Sequence, residues 1–171
     1  MSSAQLVVVL GRPGTGKTTL ARALSRHLHA SYLRVDAVEA AVVASGLENH
    51  PTGPVGYAVT HQLARESLAL HIHTVVDAVS PSHEARAGWV RLAQECDVRL
   101  SAFETFVPQA AEWQRRVETR RDALPGQRLP TWEEARTAPY AAWDDRLDGQ
   151  RTPVDMTDTG AGIWAALQQL G

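Results

Sequence analysis

The chain opens on an uninterrupted apolar run, Gln5-Leu-Val-Val-Val-Leu10, with no polar face. Such a run fits a strand buried on both sides. From Lys17 the period changes, and Leu20, Ala21, Leu24 and Leu28 recur at helical spacing as far as His29. The alternation then repeats. Ser31–Val35 reads as a second strand ending at Asp36, and Ala37–Ala44 as a short helix with Val38, Ala41 and Val42 on one face. Breakers punctuate Gly46–Gly56, which predicts a loop. Val59, Leu63, Ala64, Ser67 and Leu70 predict a helix over Tyr57–Leu70, and Ile72–Asp77 a third strand. Ser80 as N-cap and Pro81 in the first position predict a helix to about Glu95, with Ala85, Trp89, Leu92 and Ala93 inward. Val98–Val107 reads as a fourth strand region, followed by a charged helix from Pro108 to about Arg121. Pro and Gly make Leu124–Pro130 a loop, and Thr131 with Glu134 predicts a capped short helix ending before Pro139. Arg151–Met156 is a weak fifth strand, and Gly160–Leu170 a closing helix with Ile163, Trp164, Leu167 and Leu170 apolar.

Strands alternating with helices predict a three-layer α/β architecture, a parallel sheet wrapped on both faces. Ligands of such sheets sit at the carboxyl ends of the strands. The 171 residues suit one domain and are too few for two ordinary ones. The formal charge of −2 supplies no global field to recruit nucleic acid or an anionic membrane. One cysteine, Cys96, excludes a disulfide framework. The polar Met-Ser-Ser start and the lack of a long apolar span predict a cytoplasmic protein without a membrane segment. The histidines show no metal-ligand spacing, and the five tryptophans read as packing residues in the core or near the lid.

Between the first strand and helix runs Gly11-Arg12-Pro13-Gly14-Thr15-Gly16-Lys17-Thr18-Thr19, whose first eight residues fit G-x-x-x-x-G-K-[ST]. Strand, glycine loop and helix form the context that gives this phosphate-loop pattern its meaning. Its glycines let successive N–H groups converge on one anion, and the helix start adds partial positive charge. Lys17 would reach the outer phosphates and the Thr18 hydroxyl would hold Mg²⁺. Lys17 is also the sole lysine, so the chain has no Asn-Lys-x-Asp guanine-reading motif.

Two acids follow at strand ends. Asp36 is either a helix N-cap or a group that accepts a proton from an attacking hydroxyl. Asp77 is either a cap or turn residue, or an oxygen ligand to Mg²⁺ through water. Arg115, Arg116, Arg120 and Arg121 form a cluster in which Arg116 and Arg120 share a helical face. It reads as a solvated helix paired with Glu112 and Glu118, or as the start of a mobile lid over about 115–138 that brings guanidinium groups onto the γ-phosphate.

These residues together resemble the small phosphate-loop kinases grouped with AAA-family ATPases, including chloramphenicol phosphotransferase-like, zeta-toxin-like and gluconate-kinase-like proteins. The carriers are Gly11–Thr18, Leu33-Arg-Val-Asp36 with Val38-Glu39, Gly56-Tyr-Ala-Val59, Val75-Val-Asp-Ala-Val79, Arg86 with Trp89, Arg116–Arg120, Leu129-Pro-Thr-Trp132 and Val154-Asp-Met-Thr157. The resemblance implies strand order 2-3-1-4-5, Asp36 at the acceptor hydroxyl, and Arg116 and Arg120 in the lid. It also implies a loop at Thr157–Gly160 beside the adenine, and Arg86 facing the acceptor.

The resulting expectation is an ATP- and Mg²⁺-dependent phosphotransferase acting on a small-molecule hydroxyl. Its acceptor pocket would be formed by Asp36, the 46–56 loop and the following helix, Arg65 included. Two other readings stay open: a polynucleotide 5′-hydroxyl kinase, disfavoured by the balanced charge, and an ATP-binding switch or ATPase without a small acceptor.

Overall fold

The computed structural model describes residues 4–46, 53–121, 124, 125 and 127–170. Five parallel strands, β1 (Gln5–Leu10), β2 (Ser31–Arg34), β3 (Thr74–Asp77), β4 (Arg99–Phe106) and β5 (Thr152–Asp155), form one sheet in the order β2-β3-β1-β4-β5. The order is the expected 2-3-1-4-5. The helices are α1 (Lys17–Leu28), α2 (Val35–Ala44), α3 (Gly53–Ala69), α4 (His83–Glu95), α5 (Ala110–Thr119), α6 (Trp132–Thr137), α7 (Asp145–Asp148) and α8 (Thr159–Gln168).

Every residue of β1 is buried, and alternate side chains feed two cores. Leu6, Val8 and Leu10 pack with Ala64 and Leu68 of α3 and with Trp89 and Leu92 of α4. Val7 and Val9 pack with Leu20 and Leu24 of α1, Phe103 of β4 and Ala166 of α8. Burying each large apolar side chain is worth about 1.5–3 kcal/mol, so β1 anchors both layers. In the register Val9 lies beside Asp77, and Arg34 beside Asp77 on the other side. The carboxyl ends of β1, β2 and β3 are therefore level, and whatever follows each strand meets at one rim.

Several boundaries differ from the sequence reading. Helix α3 starts at Gly53 instead of Tyr57, because Pro54 is well tolerated in a first turn whose N–H groups have no partner within the helix. Residues 47–52 of the expected loop lie outside the described residues. Ser80 is not the cap of α4. It is buried with φ +48°, its N–H donates to Tyr57 Oη at 2.8 Å, and its Oγ accepts from Trp89 Nε1 at 3.1 Å. Two aromatic side chains thus claim Ser80, and the cap is Ser82, which accepts from Ala85 N. The capping box of Thr131 and Glu134 forms as expected. Helix α7 was not anticipated, and Trp164, expected to pack in the core or near the lid, is 65 % exposed.

Candidate phosphoryl-transfer site

The glycine loop between β1 and α1 is fixed from three sides. From below, Thr15 Oγ1 lies 2.8 Å from Arg12 O and 2.7 Å from Thr105 Oγ1 of β4. A Cβ on Gly11 would stand 2.5 Å from Thr105 O, so only glycine lets the loop pass over β4 there. From the sides, two of the loop's variable residues are tied to the region expected to be a mobile flap. Arg12 Nη1 donates to Ala138 O at 3.0 Å, at the end of α6, and its guanidinium stacks over Tyr140. Trp113 Nε1 of α5 donates to Pro13 O at 2.8 Å and meets Trp132 of α6 edge to face. The α5 and α6 segments are thus joined directly to the loop.

Gly16 caps α1 in the left-handed region, at φ +96°. Lys17 follows, buried, with its ammonium donating to Arg12 O at 3.0 Å. Burial pulls its pKa below the ordinary 10.5, against the attraction of Asp77 and Asp36. An ammonium has three N–H groups. The described residues take one, and a desolvated cation with donors in reserve is complementary to phosphate oxygens.

Thr18 Oγ1 donates to Asp77 Oδ2 at 2.7 Å, and Tyr32 Oη donates to the same oxygen at 2.9 Å. Burial first, then Asp77, raises the Tyr32 pKa, which keeps the phenol protonated as a donor. Asp77 is therefore neither cap nor turn. A hydroxyl and a carboxylate side by side at a strand end are the hard oxygen donors that suit Mg²⁺.

Asp36 does not cap α2. Arg34 holds the cap position without a side-chain cap, and Asp36 sits in the first turn. Its Oδ2 accepts from Arg34 Nη2 at 3.0 Å and from Gln127 Nε2 at 3.1 Å. Sequence reasoning missed both partners.

One turn on, the half-buried Glu39 lies against Gly56, where a Cβ would come within 2.6 Å of its Cγ. Burial, and then the neighbouring Asp36, push the Glu39 carboxyl up to about 7 from 4.5. A raised folded-state value means that ionisation opposes folding. The stability linked to Glu39 is fully present below pH 4.5 and is lost as pH rises through about 7. Glu39→Gln removes this dependence, so the fall in melting temperature from pH 5 to pH 8 should shrink in the variant. Equal slopes for variant and wild type would refute the linkage.

The arginine cluster divides. Arg116 Nη1 and Nη2 donate to Met156 O and Thr157 O, each at 2.8 Å, so this side chain props the loop after β5. Arg115 and Arg116 both pair with Glu112, whereas Glu118 accepts from Gln114. Arg120 falls beyond the end of α5 in extended conformation and does not share a helical face with Arg116. Thr157 contributes its carbonyl to Arg116, while Thr159 reaches the cleft. Arg65 pairs with Glu95 at the far end of α3 and is not part of the site. Arg86, expected at the acceptor, is buried and pairs with Asp148 at 2.9 Å while donating to Ser80 O and Ala141 O.

The remaining groups surround a cleft of about 380 Å³, walled by Lys17, Thr18, Thr19, Asp36, Arg116 and Arg120. Glycines 14 and 16 of the loop line it as well. Among the described residues no helix is long and apolar enough to cross a membrane.

The fold recurs in solved structures. A sugar kinase from a Janibacter species superposes with a TM-score of 0.70 at 18 % identity, over 98 % of this chain and 94 % of that one. Kti12 from Chaetomium thermophilum, in complex with ADP-AlF3, gives 0.72 at 17 % identity over 96 % of each chain. The Mycobacterium tuberculosis APS kinase CysC, in complex with AMPPNP and APS, gives 0.62 at 17 % identity over 98 % of this chain and 99 % of that one. At such identities the likeness is one of fold. No curated protein sequence matches the chain. The AAA domain model, however, matches residues 6–147, from β1 and the glycine loop through to α7. The chain belongs to the AAA domain family.

Proposed function

We propose that the chain transfers the γ-phosphoryl group of ATP, with Mg²⁺, to a hydroxyl of a small molecule. The observation that carries this reading is the meeting of three strand ends in one cleft. The glycine loop with Lys17, the Thr18 hydroxyl that donates to Asp77, and the Asp36 residue line it together. A nucleotide switch needs the first two, whereas a carboxylate facing the same cleft is what transfer to a hydroxyl adds. The kinase neighbours, and the AMPPNP and ADP-AlF3 in two of the related structures, support the nucleotide part of the reading.

In this reading the loop N–H groups and Lys17 bind the phosphates, and Thr18 with Asp77 holds the metal. When bound, Mg²⁺ neutralises charge on the phosphate oxygens. Asp36 orients the acceptor hydroxyl and takes its proton as the new O–P bond forms and the bond to the ADP oxygen breaks. Arg120 and Arg116 wall the same cleft, where guanidinium charge stabilises the spread negative charge of transfer. The contacts of Arg12 and Trp113 hold α5 and α6 over the loop and keep bulk water away.

The test is transfer of labelled γ-phosphate to a panel of sugars, nucleosides, hydroxylated antibiotics and a 5′-hydroxyl oligonucleotide. Label should pass to one small molecule. Asp36→Asn should slow transfer by about 10²–10⁴-fold and leave nucleotide affinity unchanged. Label on the oligonucleotide alone, or turnover of ATP with no labelled acceptor, would overturn the small-molecule reading.

A further inference from the structure

We infer that Arg34 and Gln127 position Asp36 by gripping the same carboxylate oxygen, which assigns the other oxygen, Oδ1, to the acceptor hydroxyl. This rests on the reading of Asp36 given above.

Arg34 ends β2 and is 6 % exposed. Its Nη2 donates to Asp36 Oδ2 at 3.0 Å, and its Nε lies 3.8 Å from Asp77 Oδ2 with no hydrogen-bond partner. The guanidinium therefore sits between the acceptor carboxylate and the carboxylate of the candidate metal site. It balances both charges and spaces them apart. Gln127 comes from the segment between α5 and α6. Its Nε2 donates to Asp36 Oδ2 at 3.1 Å while its Oε1 accepts from Leu124 N at 3.2 Å. The second bond fixes which end of the amide faces Asp36. A carboxylate with one oxygen so engaged cannot rotate freely, and the described residues give Oδ1 no hydrogen bond.

The arrangement also ties the acceptor side to the nucleotide side. Gln127 belongs to the same stretch whose helices hold the glycine loop through Trp113 and Arg12. Placing that stretch over the loop therefore places the amide on Asp36.

Gln127→Ala is the deciding variant, because Gln127 is only half-buried and its loss leaves the core intact. Misplacing a reacting group by about 1 Å costs on the order of 10²-fold in rate. The expected result is a kcat lower by about 10- to 100-fold, with the KM for ATP and the melting temperature unchanged. In a crystal structure of the variant, the Asp36 side chain should spread over more than one rotamer. Adding Gln127→Ala to Asp36→Asn should cost nothing further. Arg34→Lys should retain more kcat than Arg34→Met, since lysine keeps the charge. An unchanged kcat, or an Asp36 that keeps its single rotamer in Gln127→Ala, overturns the inference. Should the wild-type chain label no acceptor at all, the reading of Asp36 falls, and the rotamer alone decides whether the clamp exists.

Discussion

Lys17→Met should separate ligand binding from folding. In wild type, Mg-ATP at a hundred times its Kd stabilises the protein by about 2.7 kcal/mol. For a chain of this size that is a rise of roughly 5–10 °C in melting temperature. The variant should lose this rise, and transfer should fall by about 10³-fold, because a preorganised cation in a dry site is among the strongest stabilisers of developing phosphate charge. Without ligand, Lys17→Met should melt no lower than wild type. The reason is that burial makes the folded environment less hospitable to the ammonium than water is, and a methionine of similar volume avoids that penalty. Nor does the substitution orphan a buried acceptor, since Arg12 O still accepts from Thr15 N and Thr15 Oγ1. Differential scanning fluorimetry with and without Mg-ATP makes the measurement. A wild-type thermal shift in Lys17→Met would remove the lysine from the phosphate site.

The largest stability effect should come from a different buried charge. Asp148 of α7 has a side chain with no exposure, and it accepts from Arg86 Nη1, from Asp144 N at 2.9 Å and from His83 Nδ1. Burial would push its carboxyl up, but the bonds from Asp144 N, His83 and Arg86 outweigh it and hold the pKa below 3.8. The stability linked to Asp148 is thus present above pH 3.8 and lost as the solution is acidified below that value. Arg86→Met takes the buried guanidinium away from this carboxylate and should cost about 3–5 kcal/mol, as removing one partner of a buried pair does. The double variant Arg86→Met with Asp148→Leu should cost less than Arg86→Met alone, which urea unfolding of the set will show. Additive losses would mean that the two side chains act independently.

The same pair marks where sequence reading stopped. Strand β1, the glycine loop and α1 were legible because burial, backbone freedom and helical period each leave a local signature in Leu6–Val9, Gly11–Gly16 and Leu20–Leu24. So was the capping box at Thr131. The resemblance placed Arg86 at the acceptor, and nothing in the sequence pointed to its actual partner, which lies 62 residues away in a one-turn helix that has no periodicity to detect. The hold on Asp36 was invisible for a similar reason. Arg34 is two residues from Asp36, but Gln127 is 91 residues away in a stretch whose composition says only loop. Ser80 shows the converse failure. A serine before proline is a good cap by its local chemistry, yet the buried donors of Trp89 and of its own backbone were satisfied first.

The sheet order also sets a timetable for the growing polypeptide. Strand β1 is synthesised first, but the strands on its two edges are β3 and β4, the latter ending at Phe106. Until that residue has left the ribosome, six consecutive buried residues lack an edge partner on at least one side. The glycine loop also lacks its outer supports, the Val79 carbonyl that accepts from Gly11 N and the Thr105 hydroxyl that meets Thr15. Pairings this distant along the chain close slowly and leave apolar surface open to aggregation in the interval. A nascent chain that has not yet reached Phe106 therefore has the phosphate motif in its sequence but not the nest in its backbone. Nucleotide cannot chaperone the folding of β1; it can only select chains that have already completed the centre of the sheet.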